Sequence, residues 1–198
     1  MKKILLIAAL CMTVVTMNAQ QVSTRAKALR YMQFARPEYG VKDVKIIADT
    51  MILYTLSDLV VYPFGKFNTL EEFINGNKLQ WYREVGYRKF FGNQEVSTNR
   101  LRRIDDSYIE IYRAIHTNRV EMLDAKITDP EVVFNNGLHA GMSKEDVYLV
   151  YFTKYLKSYV TDVTVLKVIS AASEVAQIYT FKGKKLRHIQ VKTDYKFY

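Results

Sequence analysis

The pattern Val-Val-aromatic-x-x-Gly occurs twice in this chain, 72 residues apart: Asp58-Leu59-Val60-Val61-Tyr62-Pro63-Phe64-Gly65 and Asp129-Pro130-Glu131-Val132-Val133-Phe134-Asn135-Asn136-Gly137. Each copy leads into a helix start, Thr69-Leu70-Glu71-Glu72-Phe73 in the first and Ser143-Lys144-Glu145-Asp146-Val147 in the second. Self-similarity at a fixed separation marks a duplicated unit whose copies stack to bury a shared core. Two stacked copies of one small unit describe a scaffold, and a scaffold of this kind points to binding rather than catalysis.

The N-terminus carries a second constraint. Lys2 and Lys3 precede an apolar run from Ile4 to Val15, and Met17-Asn18-Ala19 supplies a small-residue cleavage site. Residues 1–19 therefore read as an export signal. The run is too short for the ~20 residues that span a bilayer. Bulky Leu10 stands before Cys11, where lipid attachment normally needs a small residue. Cys11 is the only cysteine, so the exported chain is expected to have no disulfide, thiolate metal site or cysteine nucleophile. Loss of the signal removes Lys2 and Lys3 and no acid, which lowers the formal net charge from +9 to +7. Export argues against nucleic acid as the partner of this charge. A protein or an anionic cell-envelope component, met in the periplasm or on the outer surface, is the expected partner, with no transmembrane segment in the mature chain.

Ser23 can cap a helix over residues 24–35 that ends ahead of Pro37. Residues 41–56 are rich in Ile, Val and Tyr and read as extended, although 51–56 fits a helix equally well. In the first unit the Val-Val segment reads as a strand. Thr69 and Glu72 have capping-box spacing, and a helical piece is expected over 79–87 after a break at Gly76-Asn77. Tyr108–Ala114 and Val120–Ile127 read as a hairpin, because Leu123, Ala125 and Ile127 alternate with Asp124 and Lys126. The second unit repeats the order: Ser143 and Asp146 at a cap, a helix over 144–157, then strands over 163–169, 176–181 and 186–192. Gly183 suits the last turn, which requires positive φ. Tyr148, Tyr151, Phe152, Tyr155 and Tyr159 fall on one helix face and are expected to pack on the sheet.

Gly141-Met142-Ser143-Lys144-Glu145-Asp146-Val147 opening a helix, with Phe181-Lys182-Gly183-Lys184-Lys185-Leu186 turning the last hairpin, resembles the β-lactamase-inhibitor-protein-like (BLIP-like) repeat. It is also similar to the small outer-membrane assembly lipoproteins of the same fold. In the first copy Phe67-Asn68 stand in place of Gly141-Met142. The resemblance implies an α+β fold of two tandem helix-on-antiparallel-sheet units in a single compact domain, whose sheets form one surface that binds another protein. It divides the chain into the signal (1–19), an N-terminal segment of unassigned fold (20–57), a first repeat (58–128) and a second repeat (129–198). It does not imply β-lactamase inhibition, because no contact residues of that family map onto this chain.

The residues offer little for catalysis. His116, His139 and His188 have no partner at metal-ligand spacing. Adjacent carboxylates such as Asp105-Asp106 point to opposite faces of a strand and fit a turn better. Phosphate-loop and nucleophile-elbow motifs are missing, so neither enzyme activity nor a cofactor is expected. Aromatics are the outstanding feature: 15 Tyr, 10 Phe and 1 Trp, all beyond the signal. The densest cluster is Trp81, Tyr82, Tyr87, Phe90 and Phe91, interleaved with Arg83, Arg88 and Lys89. Aromatics with Arg are the composition of interface hot spots. Trp81, Tyr82, Tyr87, Arg88 and Phe91 are therefore the expected binding residues, with Tyr82, Tyr87 and Arg88 the preferred exposed contacts and Trp81 and Phe90 better suited to anchoring the core. An envelope glycan or lipid as the ligand, and a hydrolase with a dispersed site, stay open.

Overall fold

The structure is a computed structural model that describes residues 23–76, 81–83, 87–91, 94–103, 106–114 and 118–193. The expected signal (1–19) and residues 104–105 and 115–117 of the expected turns lie outside the described residues.

Residues 23–32 form α1, and Pro37–Tyr39 a 3₁₀ turn closed by Gly40 at φ 55°. β1 (Val41–Ile47) and β2 (Thr50–Thr55) follow as a hairpin. Next come α2 (Leu70–Gly76), β3 (Tyr82–Arg83), β4 (Tyr87–Phe91), β5 (Gln94–Arg102), β6 (Tyr108–Ala114) and β7 (Arg119–Ile127). The chain ends with α3 (Lys144–Tyr151), α4 (Lys157–Val160), β8 (Val165–Ser170), β9 (Val175–Lys182) and β10 (Lys185–Thr193). The fold is mixed α/β, and among the described residues all ten strands join one sheet in the order β1-β2-β8-β9-β10-β7-β6-β5-β3, with β4 also on β5.

One continuous sheet replaces the expected pair. It forms because β10 and β7 pair antiparallel, joining the meander β8-β9-β10 to the meander β5-β6-β7 through their last strands. The β2–β8 pair is parallel, which the purely antiparallel expectation did not include. Residues 41–55 thereby belong to the sheet, and 51–55 are strand rather than helix.

The registers place side chains in rows that cross the sheet. Leu53, Val168, Gln177, Val191, Ala125, Ile109 and Leu101 are successive partners, and all are buried. This face meets Ala28 and Tyr31 of α1, Phe73 of α2, and Val147, Tyr148 and Tyr151 of α3 in one hydrophobic cluster. Deleting a fully buried side chain such as Leu53 to Ala costs about 2–5 kcal/mol by the usual cavity penalty.

Both expected helix caps are present. Thr69 Oγ1 accepts from the Glu72 N–H at 3.1 Å, while Glu72 accepts from the Asn68 N–H at 2.8 Å. Ser143 Oγ accepts from the Asp146 N–H at 3.0 Å. The hairpin β6–β7 and the strands β8, β9 and β10 are present, residues 123–127 alternate as expected while 109–112 and 120–123 are buried without a break, and Gly183 has φ 60° at the last turn.

Four local expectations are corrected. Asp58–Val60 is a 3₁₀ turn, since Ser57 Oγ accepts from the Leu59 N–H and Pro63 withholds a ladder donor. Residues 129–137 are a loop opened by an Asx turn, with the Glu131 N–H donating to Asp129 Oδ1 at 2.8 Å. The helical piece over 79–87 is absent from the described part, where Tyr82–Arg83 is a strand and Tyr87 begins another. The helix expected over 144–157 stops at Tyr151. There Phe152 turns extended to bridge Ala35, and the Thr153 N–H donates to the Phe34 carbonyl at 2.7 Å.

Tyr148, Tyr151 and Phe152 are nevertheless buried, while Tyr155 and Tyr159 lie beyond the helix and pack on the core's margin. No helix among the described residues is long and apolar enough to cross a membrane.

Candidate functional site

The helices leave one face of the sheet half-exposed. Its side chains are the alternates of the buried rows, so register alone decides which residues meet there. One row runs Lys45, Ile52, Lys167, Ile178, Gln190, Lys126, Tyr108 and Arg102, each the direct partner of the next. All eight are half-buried or exposed, and none carries a carboxylate. With strands ~4.8 Å apart, the row spans about 34 Å.

The neighbouring row runs Asp43, Tyr54, Ile169, Ala176, Lys192, Asp124, Glu110 and Arg100. Charges here are paired, and Asp43 Oδ2 also lies 3.6 Å from Lys45 Nζ of the first row. Lys192 Nζ lies 2.9 Å from Asp124 Oδ1, and the Tyr108 hydroxyl donates to Asp124 Oδ2 at 3.1 Å. Burial works against charge on Lys192, but the hydrogen bond and charge of Asp124, with Tyr108 and Glu110, outweigh it and raise its pKa. Burial first, then Asp124, raises that of Tyr108. Glu110 is buried, so this row closes at β6 where the first stays accessible.

Two cations lie over aromatic rings on this face. Lys45 Nζ sits 5.1 Å from the Tyr54 centroid, and the Arg100 guanidinium 4.1 Å from that of Tyr108. His188, partner of Thr180, reports the local field: burial, then Lys126 and Arg187, push its pKa down. Lys126 and Lys167 have no carboxylate within salt-bridge reach among the described residues.

The residues read from the sequence as binding contacts lie at the β5 edge. Tyr82 stands opposite Arg102, Tyr87 opposite Thr98, Arg88 opposite Ser97 and Phe91 opposite Gln94. Their side chains lie outside the described residues. Trp81 is half-buried against the core, with its indole N–H buried and without a hydrogen-bond partner among the described residues. Sequence reasoning passed over Lys45, Lys126 and Lys167. Each was visible as the polar member of an alternating strand, but only the cross-strand register sets them in line.

Elsewhere, a shallow, partly open recess is bounded by Phe64, Phe73, Ile111, Val120, Met122 and Glu121. The Glu121 carboxylate accepts from the Tyr62 hydroxyl at 3.2 Å and the Tyr112 hydroxyl at 3.0 Å. No histidine lines the recess. His139 is half-buried, its Nδ1 2.8 Å from the Ala140 carbonyl. Among the described residues, no group of three or more His, Cys, Asp or Glu is placed to hold a metal ion.

Comparison with known proteins finds no matching family model, no matching curated protein and no matching solved structure.

Proposed function

We propose that this chain is an exported, non-catalytic binding protein that captures a protein or anionic cell-envelope component on the half-exposed face of its sheet. The observation that carries the proposal is the unbroken row from Lys45 to Arg102, in which cations alternate with Ile52, Ile178 and Tyr108. Such a surface combines apolar contact area with charge that steers encounter. Tyr82, the strand partner of Arg102, carries this row past β5 in the proposal, and Tyr87, Arg88 and Phe91 lie beside it at the β5 edge.

The two meanders are, in this proposal, descendants of one duplicated unit related to the BLIP-like repeat. Three features support that: each follows a capped helix, they meet through their last strands, and the Asn135 N–H meets the Pro63 carbonyl at the spacing of the sequence repeat. The apolar leader over residues 1–19 supports export.

Site-specific photo-crosslinking in the native cell tests the role. A crosslinker at position 178 or 52 is expected to give one dominant adduct, while one at the exposed position of Leu29 on α1 gives none. Adducts from position 29 alone, or equal adducts from every position, would remove the sheet face as the binding surface.

A further inference from the structure

Resting on the binding role proposed above, we infer that the occupant of this face is an acidic, extended protein segment that lies across the strands along Lys45, Lys167, Lys126 and Arg102. Counting strands along the row, these cations stand roughly 10, 14 and 10 Å apart at ~4.8 Å per strand. A single phosphate or carboxylate reaches only one of them. Several anions carried on one chain reach all four.

The spaces between the cations decide the class of that chain. Ile52, Ile178 and Tyr108 fill them, half-exposed, and Ile169 and Tyr54 flank them in the next row. A sulfated or phosphorylated glycan keeps its charges hydrated and offers only the C–H faces of its rings, which suit Tyr54 and Tyr108 but leave Ile52, Ile178 and Ile169 without an apolar partner. A bilayer surface needs apolar side chains that project into it, and these lie within the sheet. A polypeptide supplies carboxylates and apolar side chains on one strand, which is what this spacing accommodates. The Lys126 and Lys167 ammonium groups, without carboxylates in reach among the described residues, are the places where such a ligand adds the most.

In an extended peptide at ~3.4 Å per residue, intervals of 10, 14 and 10 Å correspond to about three, four and three residues. The probe is therefore a labelled synthetic peptide with Glu at that spacing and Ile or Tyr between, titrated into the whole chain by fluorescence anisotropy. A matched peptide with Gln for Glu, heparin, and phosphatidylglycerol vesicles complete the set. The Glu peptide is expected to bind with an affinity that falls as salt rises, and Lys126→Glu/Lys167→Glu is expected to weaken it at least about tenfold. Lys126→Gln/Lys167→Gln, which alters half-exposed positions only, is expected to keep the circular dichroism spectrum and weaken binding less.

Equal binding of the Gln peptide, displacement of the Glu peptide by heparin or vesicles at lower concentration, or indifference to both double variants would overturn the proposal. Failure of the peptide alongside persistent crosslinking from position 178 sinks the acidic segment alone. Loss of that crosslink sinks the binding role with it.

Discussion

The Asn135 backbone N–H donates to the Pro63 carbonyl at 2.7 Å. The two residues are 72 positions apart, as are Val60 and Val132. The turns that contain them also touch through Phe64 and Phe134, whose rings meet edge-on with centroids 5.0 Å apart. Val60 and Val132 are both buried, and Gly65 and Gly137 both have positive φ. The two loops therefore brace one another on the covered side of the sheet.

Gly65 is where this brace is most sensitive. Its φ is 104°, and a Cβ there would come 3.2 Å from Asn135 Nδ2. Gly65→Ala is expected to destabilise the protein by about 1–3 kcal/mol in urea unfolding. Gly137, at φ 81° with nothing within 4 Å of a Cβ, carries the backbone strain without the contact. Gly137→Ala is expected to cost less, and equal losses would show that the Asn135 contact contributes nothing.

A buried polar chain ties the first turn to the sheet. The Tyr179 hydroxyl donates to Gln177 Oε1 and lies 2.9 Å from the Tyr151 hydroxyl, while Gln177 Nε2 donates to the Leu59 and Val60 carbonyls at 2.8 and 3.1 Å. Tyr179→Phe strips a partner from two fully buried groups, and about 1–3 kcal/mol of stability is the expected loss. Amide exchange should quicken around Leu59 in the variant. A neutral substitution would mean that the hydroxyl contributes nothing to the fold.

His188 sets the pH dependence on the open face. Its pKa is depressed in the folded chain by burial and by Lys126 and Arg187, so the unfolded chain takes up the proton first as pH falls below the ordinary 6.5. Stability is therefore greatest above that value and declines as pH drops toward the folded pKa. Urea midpoints at neutral and mildly acidic pH should show a smaller decline for His188→Gln than for the parent. Identical declines would assign the acid sensitivity to other groups.

The strands with one wet face were the most legible parts of the fold, because alternation such as Leu123, Ala125 and Ile127 against Asp124 and Lys126 is a local signal. β5 escaped notice: in Gln94–Arg102 only Val96 and Leu101 are apolar, and buried Thr98 carries no hydrophobic mark. The early end of α3 was also hidden, since Phe152 leaves the helix to meet Ala35, a partner far away in sequence. The candidate site was the least legible. Lys45, Lys167 and Lys126 lie on three strands from distant parts of the chain, and only pairing through β2, β9 and β10 brings them into one row.

The parallel pairing of β2 with β8 also makes the row depend on distant parts of the chain. The β1–β2 hairpin has no strand to lie against until synthesis has passed Ser170, more than a hundred residues later. Contacts of such long sequence separation slow folding. Lys45 and Ile52 therefore join the row only through β8, β9 and β10, strands that lie more than a hundred residues further along the chain.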